Sequence, residues 1–167
     1  MQRIRGFTLI ELMIAIALLG IIASLAAPSM ANFAIRQRVS SQANEMMLSL
    51  AFARAEAIKR NAEIRILPIT NSAEGWADGW CIGPTSMANC SHADRIKVFE
   101  AKSDVSVSSQ NFVGAPLAFK RDGTASIAGG FSITSPRLNA SGNDARCIDI
   151  SLQGRPSLSK VTRDAGC

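Results

Sequence analysis

The chain has 167 residues, enough for one domain with a modest core, and 47% of them are hydrophobic while only 5% are aromatic. Its formal net charge of +5 is concentrated early: through Ala62 there are seven Lys/Arg against three acids, and beyond it eleven against ten. A nearly neutral downstream part means that the pI of 9.4 by itself makes no case for nucleic acid.

The first element predicted is an apolar helix. Residues 7–27 supply about the ~20 apolar residues that cross a bilayer's hydrocarbon core, behind Arg3 and Arg5. A secretory signal peptide and a plain membrane anchor both fit this outline, and "SLAAPS" serves as a small-residue cleavage site for the first. Neither explains Glu11. A carboxylate in a membrane helix costs about 2.5–3.5 kcal/mol at the centre and less near the interface, so such a residue is usually paired.

The stretch "RGFTLIELMIAIALLGIIASLAAPSM" closely resembles the class III signal of type IV pilins and type II secretion pseudopilins. The resemblance implies that a prepilin peptidase cuts after Gly6 and that Phe7 becomes an N-methylated first residue. It also implies that the Glu11 carboxylate meets the Phe7 α-amino group of a neighbouring subunit during filament assembly. Arg3 and Arg5 suit a cytoplasmic leader, but Arg36 and Arg38 follow soon after the other end, so charge alone does not orient the helix.

Beyond Pro28, "NFAIRQRVSSQANEMMLSLAFARAEAIKRNA" is rich in helix formers. Val39, Ala43, Met46, Leu50, Ala53 and Ala57 step by four and three along one stripe, which Met47 and Ile58 widen. Arg36, Arg38, Gln42, Glu56, Lys59 and Arg60 lie largely off it, with Glu56–Arg60 a favourable i,i+4 pair. Pro28 is expected to kink the helix without ending it. A helix from Phe7 to about Asn61 would be roughly 80 Å long at 1.5 Å per residue.

After Ala62 the pattern turns to strands. "EIRILPI", "DRIKVFEA", "VSVSS", "PLAFKR", "FSIT" and "RCIDISL" are short and β-rich. Ile148, Ile150 and Leu152 would face inward, with Cys147, Asp149 and Ser151 opposite. Asp122-Gly123 signals a tight hairpin. "TNSAEGWADGW", "GPTSMANCSHA" and "SPRLNASGND" read as loops. The expected fold class is α+β: a long N-terminal helix packed against an antiparallel β-sheet head. The segments are 1–6 leader, 7–28 membrane or filament-core helix, 29–62 amphipathic continuation and 63–167 head.

Four cysteines, Cys81, Cys90, Cys147 and Cys167, sit behind a membrane signal, which suggests two disulfides in an oxidising compartment. Of three possible pairings, Cys81–Cys90 and Cys147–Cys167 close short local loops and are favoured. Cys81, Cys90 and His92 have poor zinc spacing and lack a convincing fourth ligand. Disulfides place the head in the periplasm and so orient the anchor as a single pass through the inner membrane.

The head resembles the GspH/FimT branch of the pilin-like superfamily, through "LAFARAEAIKRN", "GWADGWCI", "LAFKRDGTAS" and "RCIDISLQGRPSLSK". The resemblance implies a minor pilin that helps initiate pilus assembly, with other pilins, prepilin peptidase and the inner membrane as partners, and links to twitching motility and adhesion. A type II secretion pseudopilin is the alternative. Some FimT proteins bind DNA through a Gly-Arg ending, which points to Arg155, Lys160 and Arg163. However, "GRPSLSK" is sparse in cations and has no aromatic for base stacking, so any binding would be weak and strongly salt-dependent.

Nothing points to an enzyme. His92 is the only histidine, and no Gly-x-Ser-x-Gly elbow, phosphate loop, dinucleotide fingerprint or paired metal spacing occurs. No catalytic residue, metal or cofactor is expected.

Overall fold

The computed structural model describes residues 7–70, 75–100, 102–112 and 116–167. The chain divides into two compact units, Met1–Ala34 and Ile35–Cys167. The first consists of the early turns of helix α1 (Leu9–Arg60), which continues through position 28 as expected.

The second unit joins the rest of α1 to two four-stranded antiparallel sheets, where the sequence reading expects one. One has the order β3-β2-β1-β5, from β1 (Ile64–Pro68), β2 (Gly79–Pro84), β3 (Lys97–Glu100) and β5 (Leu117–Phe119). The other has the order β4-β6-β7-β8, from β4 (Ser106–Gln110), β6 (Gly129–Thr134), β7 (Ala145–Ile150) and β8 (Pro156–Val161). All six expected strands are present, and β2 and β8 are additional.

The stripe of α1 behaves as its periodicity dictates. Val39, Ala43, Met46, Leu50, Ala53 and Ala57 are all fully buried and share one core with inward residues of both sheets, among them Ile66, Trp80, Phe131 and Ile148. Three residues depart from the pattern. Ile58 is 52% exposed, while Gln42 and Glu56 are buried. Gln42 is covered because its Oε1 accepts the Lys102 amide at 3.1 Å, tying a turn of the head to the helix.

Helix α1 ends in a complete left-handed cap. Asn61 has φ 50°, its amide bonds the Ile58 carbonyl, and the Ala62 amide bonds the Ala57 carbonyl, each at 3.2 Å. Just before it, Glu56 accepts from Arg60 Nε at 2.5 Å and lies 3.5 Å from Lys59 Nζ. The Arg60 hydrogen bond, ahead of the charge of Lys59, holds the Glu56 carboxyl below the ordinary glutamate range. A carboxyl depressed in the folded state contributes stability above its unfolded pKa and loses it as pH falls through the folded value. Glu56→Gln is therefore expected to lower stability at neutral pH, where the contribution is fully present, and to converge on the wild type as pH falls below about 4.5, flattening the acid limb of a stability–pH curve.

The Gly-Trp segment read as a loop is core. Gly75–Asp78 forms a 3₁₀ turn leading into β2, and Trp76 and Trp80 are both fully buried. Trp80 stacks on Phe99 at 5.7 Å and donates from Nε1 to Ser49 Oγ at 2.9 Å, joining the first sheet to the helix. Trp76 meets Phe131 edge-on at 4.7 Å, reaching the second sheet. The two indoles thus bind all three layers.

Each disulfide clips a cover over one sheet. Cys81–Cys90 closes the loop after β2, whose Met87 is fully buried over Gly83, where any side chain would collide with the Met87 sulfur. Cys147–Cys167 draws the C-terminal segment back across β7 and β6, with the two Cα atoms 5.2 Å apart. Cys147, Asp149 and Cys167 cluster as metal ligands would, but the disulfide consumes both sulfurs and leaves one carboxylate.

Candidate assembly helix and C-terminal segment

The first unit presents its apolar side chains outward. Phe7, Leu9, Ile10, Leu12, Ile16 and Leu19 are each more than half exposed, and the pattern continues to Phe33. A helix apolar on all sides is built to be buried in an environment other than water. The segments Leu9–Ser24 and Ser29–Arg60 satisfy the length and hydropathy requirement for crossing a membrane only when taken together.

Glu11 is exposed in the first turn of this helix. Its amide donates to Thr8 Oγ1 at 3.3 Å, so Thr8 caps the helix and Glu11 stands at the third helical position. The Thr-x-x-Glu spacing of "TLIE" is a capping-box signature that the sequence reading missed. An acid there also meets the positive end of the helix dipole. Phe7 directly precedes the cap. Gly6 lies outside the described residues.

The C-terminal cations do not converge. Arg155 is exposed at the turn entering β8, and Lys160 lies five residues on, roughly 16 Å away at strand spacing. The Lys160 register partner is Arg146 on β7. Arg163 donates to both carboxylate oxygens of Asp164, at 2.9 and 3.1 Å, and to the Leu138 carbonyl at 3.3 Å. That pairing raises the Arg163 pKa and lowers that of Asp164. Arg155 borders an open groove of about 340 Å³ whose lining also includes Asp149, Gln110 and Ser157, so a carboxylate shares the space that a phosphate would need.

The turn carrying Arg155 is rigidly seated. Gly154 has φ 71°, and a Cβ there would run into the Gly123 carbonyl oxygen. The Lys120–Thr124 turn beneath is the expected hairpin, closed by Lys120 N to Thr124 O and Gly123 N to Lys120 O, both 2.8 Å. Gly154→Ala is accordingly expected to lower stability by about 3 kcal/mol, combining left-handed strain with a backbone collision. Thermal unfolding of the purified chain checks this.

Two family models match. Residues 42–154 match the family described as type II transport protein GspH, about two thirds of the chain, and residues 1–27 match the prokaryotic N-terminal methylation motif. The chain belongs to the GspH family. Within the type IV pilin-like superfamily it takes its place in the GspH/FimT branch, a family of structural pilins. The methylation motif covers Gly6, Phe7 and Glu11, whereas the GspH match stops at Gly154, so β8 and Cys167 lie beyond it.

Solved structures share this fold. Two crystal forms of the type IV minor pilin FimU from Pseudomonas aeruginosa (strain PAO1) align with TM-scores of 0.59 and 0.61 at 24% and 25% identity. They cover 72% and 76% of this chain and 91% and 92% of theirs. A probable minor fimbrial protein of Dichelobacter nodosus is 43% identical over 53 residues, 30% of this chain and 33% of that protein. The match thus spans a third of the length of that curated relative.

Proposed function

We propose that this GspH-family chain is a minor pilin of a type IV pilus system, made as a membrane-held precursor. In this reading prepilin peptidase cuts it after Gly6 and methylates Phe7. The mature chain then enters the filament through α1, with its head in the periplasm, and helps initiate assembly with other pilins.

The observation that carries the reading is the outward apolar helix with one carboxylate in its first turn. Capping and the helix dipole offer an exposed acid about 0.3–1 kcal/mol, against a membrane cost that rises from the interface to roughly 2.5–3.5 kcal/mol at the centre. A cationic partner from outside the chain makes up the difference, and the freed α-amino group of Phe7 on a neighbouring subunit is the partner this role supplies.

Mass spectrometry of the native product is expected to find a methylated Phe7 at its start; processing near Ala27, or an intact Met1, would overturn the reading. Glu11→Ala is expected to be processed normally yet to fall about tenfold or more in the sheared filament fraction. Normal incorporation would remove the pairing argument.

The family described as a type II transport protein favours one further reading, a minor pseudopilin of type II secretion. A deletion strain that loses exoprotein secretion while keeping pili and twitching would select it. DNA binding through Arg155, Lys160 and Arg163 is the weaker extension, since the three are dispersed and Arg163 is already paired. Retention of DNA by the wild-type chain at rising salt, lost in Arg155→Ala with Lys160→Ala, would support it.

A further inference from the structure

Ile58 and Leu152 are the two aliphatic residues that the sequence pattern buries and the structure exposes, at 52% and 55%. They flank the same hairpin. Ile58 Cδ1 lies 2.9 Å from where a side chain at Gly123 would begin, and the Leu152 carbonyl accepts the Ala125 amide at 2.9 Å. Gly154, next to Arg155, rests on the Gly123 carbonyl from the other side. The end of α1, the Lys120–Thr124 turn and the Ser151–Arg155 turn therefore stack through two glycines with φ of 81° and 71°. Contacts made by backbone leave little to rearrange, so the surface is preformed.

Its charge is net positive. Arg54, Lys59, Arg60, Lys120, Arg121 and Arg155 stand against four carboxylates, Glu56, Glu63, Asp122 and, in the groove beside Arg155, Asp149. Glu56 is taken by Lys59 and Arg60, and Asp122 by the amide and hydroxyl of Thr124. Arg121 and Arg155 make no ion pair among the described residues, and Arg54 Nε is buried without a hydrogen-bond partner. Lys120 and Arg121 also border an open groove of about 340 Å³ beside Asn61 and Glu63.

We propose that this end of the head is a docking surface for a second protein whose contact face carries an aliphatic side chain ringed by carboxylates. An apolar centre inside a charged rim is the anatomy of a protein interface, and a basic rim selects an acidic partner. A nucleic-acid backbone would satisfy the cations but leave Ile58 and Leu152 against phosphate and sugar, and among the described residues the aromatic at this turn, Phe119, is fully buried and offers no face for base stacking. The surface goes beyond the assembly reading, which concerns the helix before Ala34.

The test places a photo-activatable amino acid at position 58, 152 or, as a control on β3, 98 of the full-length chain in its own cells. Positions 58 and 152 are expected to give a nuclease-resistant protein adduct whose cross-linked peptide is acidic. Arg121→Glu combined with Arg155→Glu should cut its yield about tenfold, with both disulfides still formed by alkylation mass shift. Should that variant misfold, a salt series on the wild-type sequence gives the same readout, with yield falling as salt rises. No adduct at 58 and 152, equal labelling at 98, a nuclease-sensitive adduct, or a yield indifferent to charge reversal and salt would each overturn the proposal.

Discussion

Replacing Trp80 with alanine is expected to destabilise the head by about 3–5 kcal/mol, the range for truncating a fully buried aromatic. Trp80 is completely buried, stacks on Phe99 and hydrogen-bonds Ser49 on the facing helix. Its loss opens a cavity between α1 and the first sheet and removes a buried side-chain hydrogen bond that joins those layers. Ser49→Ala isolates the polar part. It leaves the Trp80 N–H buried and unpaired, at about 1–3 kcal/mol, with the indole still in place. Chemical denaturation of the purified full-length chain should rank the two in that order. A Trp80→Ala midpoint close to wild type would mean that the indole does not hold the layers together.

Removing the C-terminal disulfide, by Cys147→Ser with Cys167→Ser, is expected to cost about 3 kcal/mol in the chain-entropy model, given a separation of 20 residues. The cost should be localised in its consequences. Residues 162–167 are otherwise held by few contacts: Thr134 Oγ1 donates to the Arg163 carbonyl at 3.5 Å, and Arg163 reaches the Leu138 carbonyl at 3.3 Å. Limited proteolysis should therefore cut the variant after Val161 well before its core opens, since β8 stays paired with β7 over six residues. The Cys81–Cys90 bridge closes a shorter loop, with a separation of 9 residues, so Cys81→Ser with Cys90→Ser should cost somewhat less by the same model. Resistance of the Cys147/Cys167 variant to trimming would show that the tail is seated by packing alone.

The expectations that held and those that failed separate by physical cause. The stripe from Val39 to Ala57 was legible because a 3.6-residue period against an apolar core leaves a regular trace. The Asp122-Gly123 hairpin was legible because its turn chemistry is local. The Gly-Trp segment misled because glycines surrounding tryptophans look like a loop until the indoles find partners on other elements. β8 escaped notice because "PSLSKV" is an edge strand with four exposed residues and so carries no alternation. Leu152 misled for a third reason: β7 ends at Ile150, and the chain turns before the alternation reaches it.

The N-terminal signal, its acid, the helix stripe and the strand-rich character of the remainder were determined by sequence alone, because each depends on neighbours within a few residues. Only the tertiary structure decided that the strands form two sheets, that Trp76 and Trp80 knit them to the helix, and that Ile58 and Leu152 emerge beside one basic hairpin. Those outcomes depend on which distant segments exclude water from one another. That competition among long-range contacts is settled by the packing of the whole chain and leaves no periodic mark on any one stretch of it.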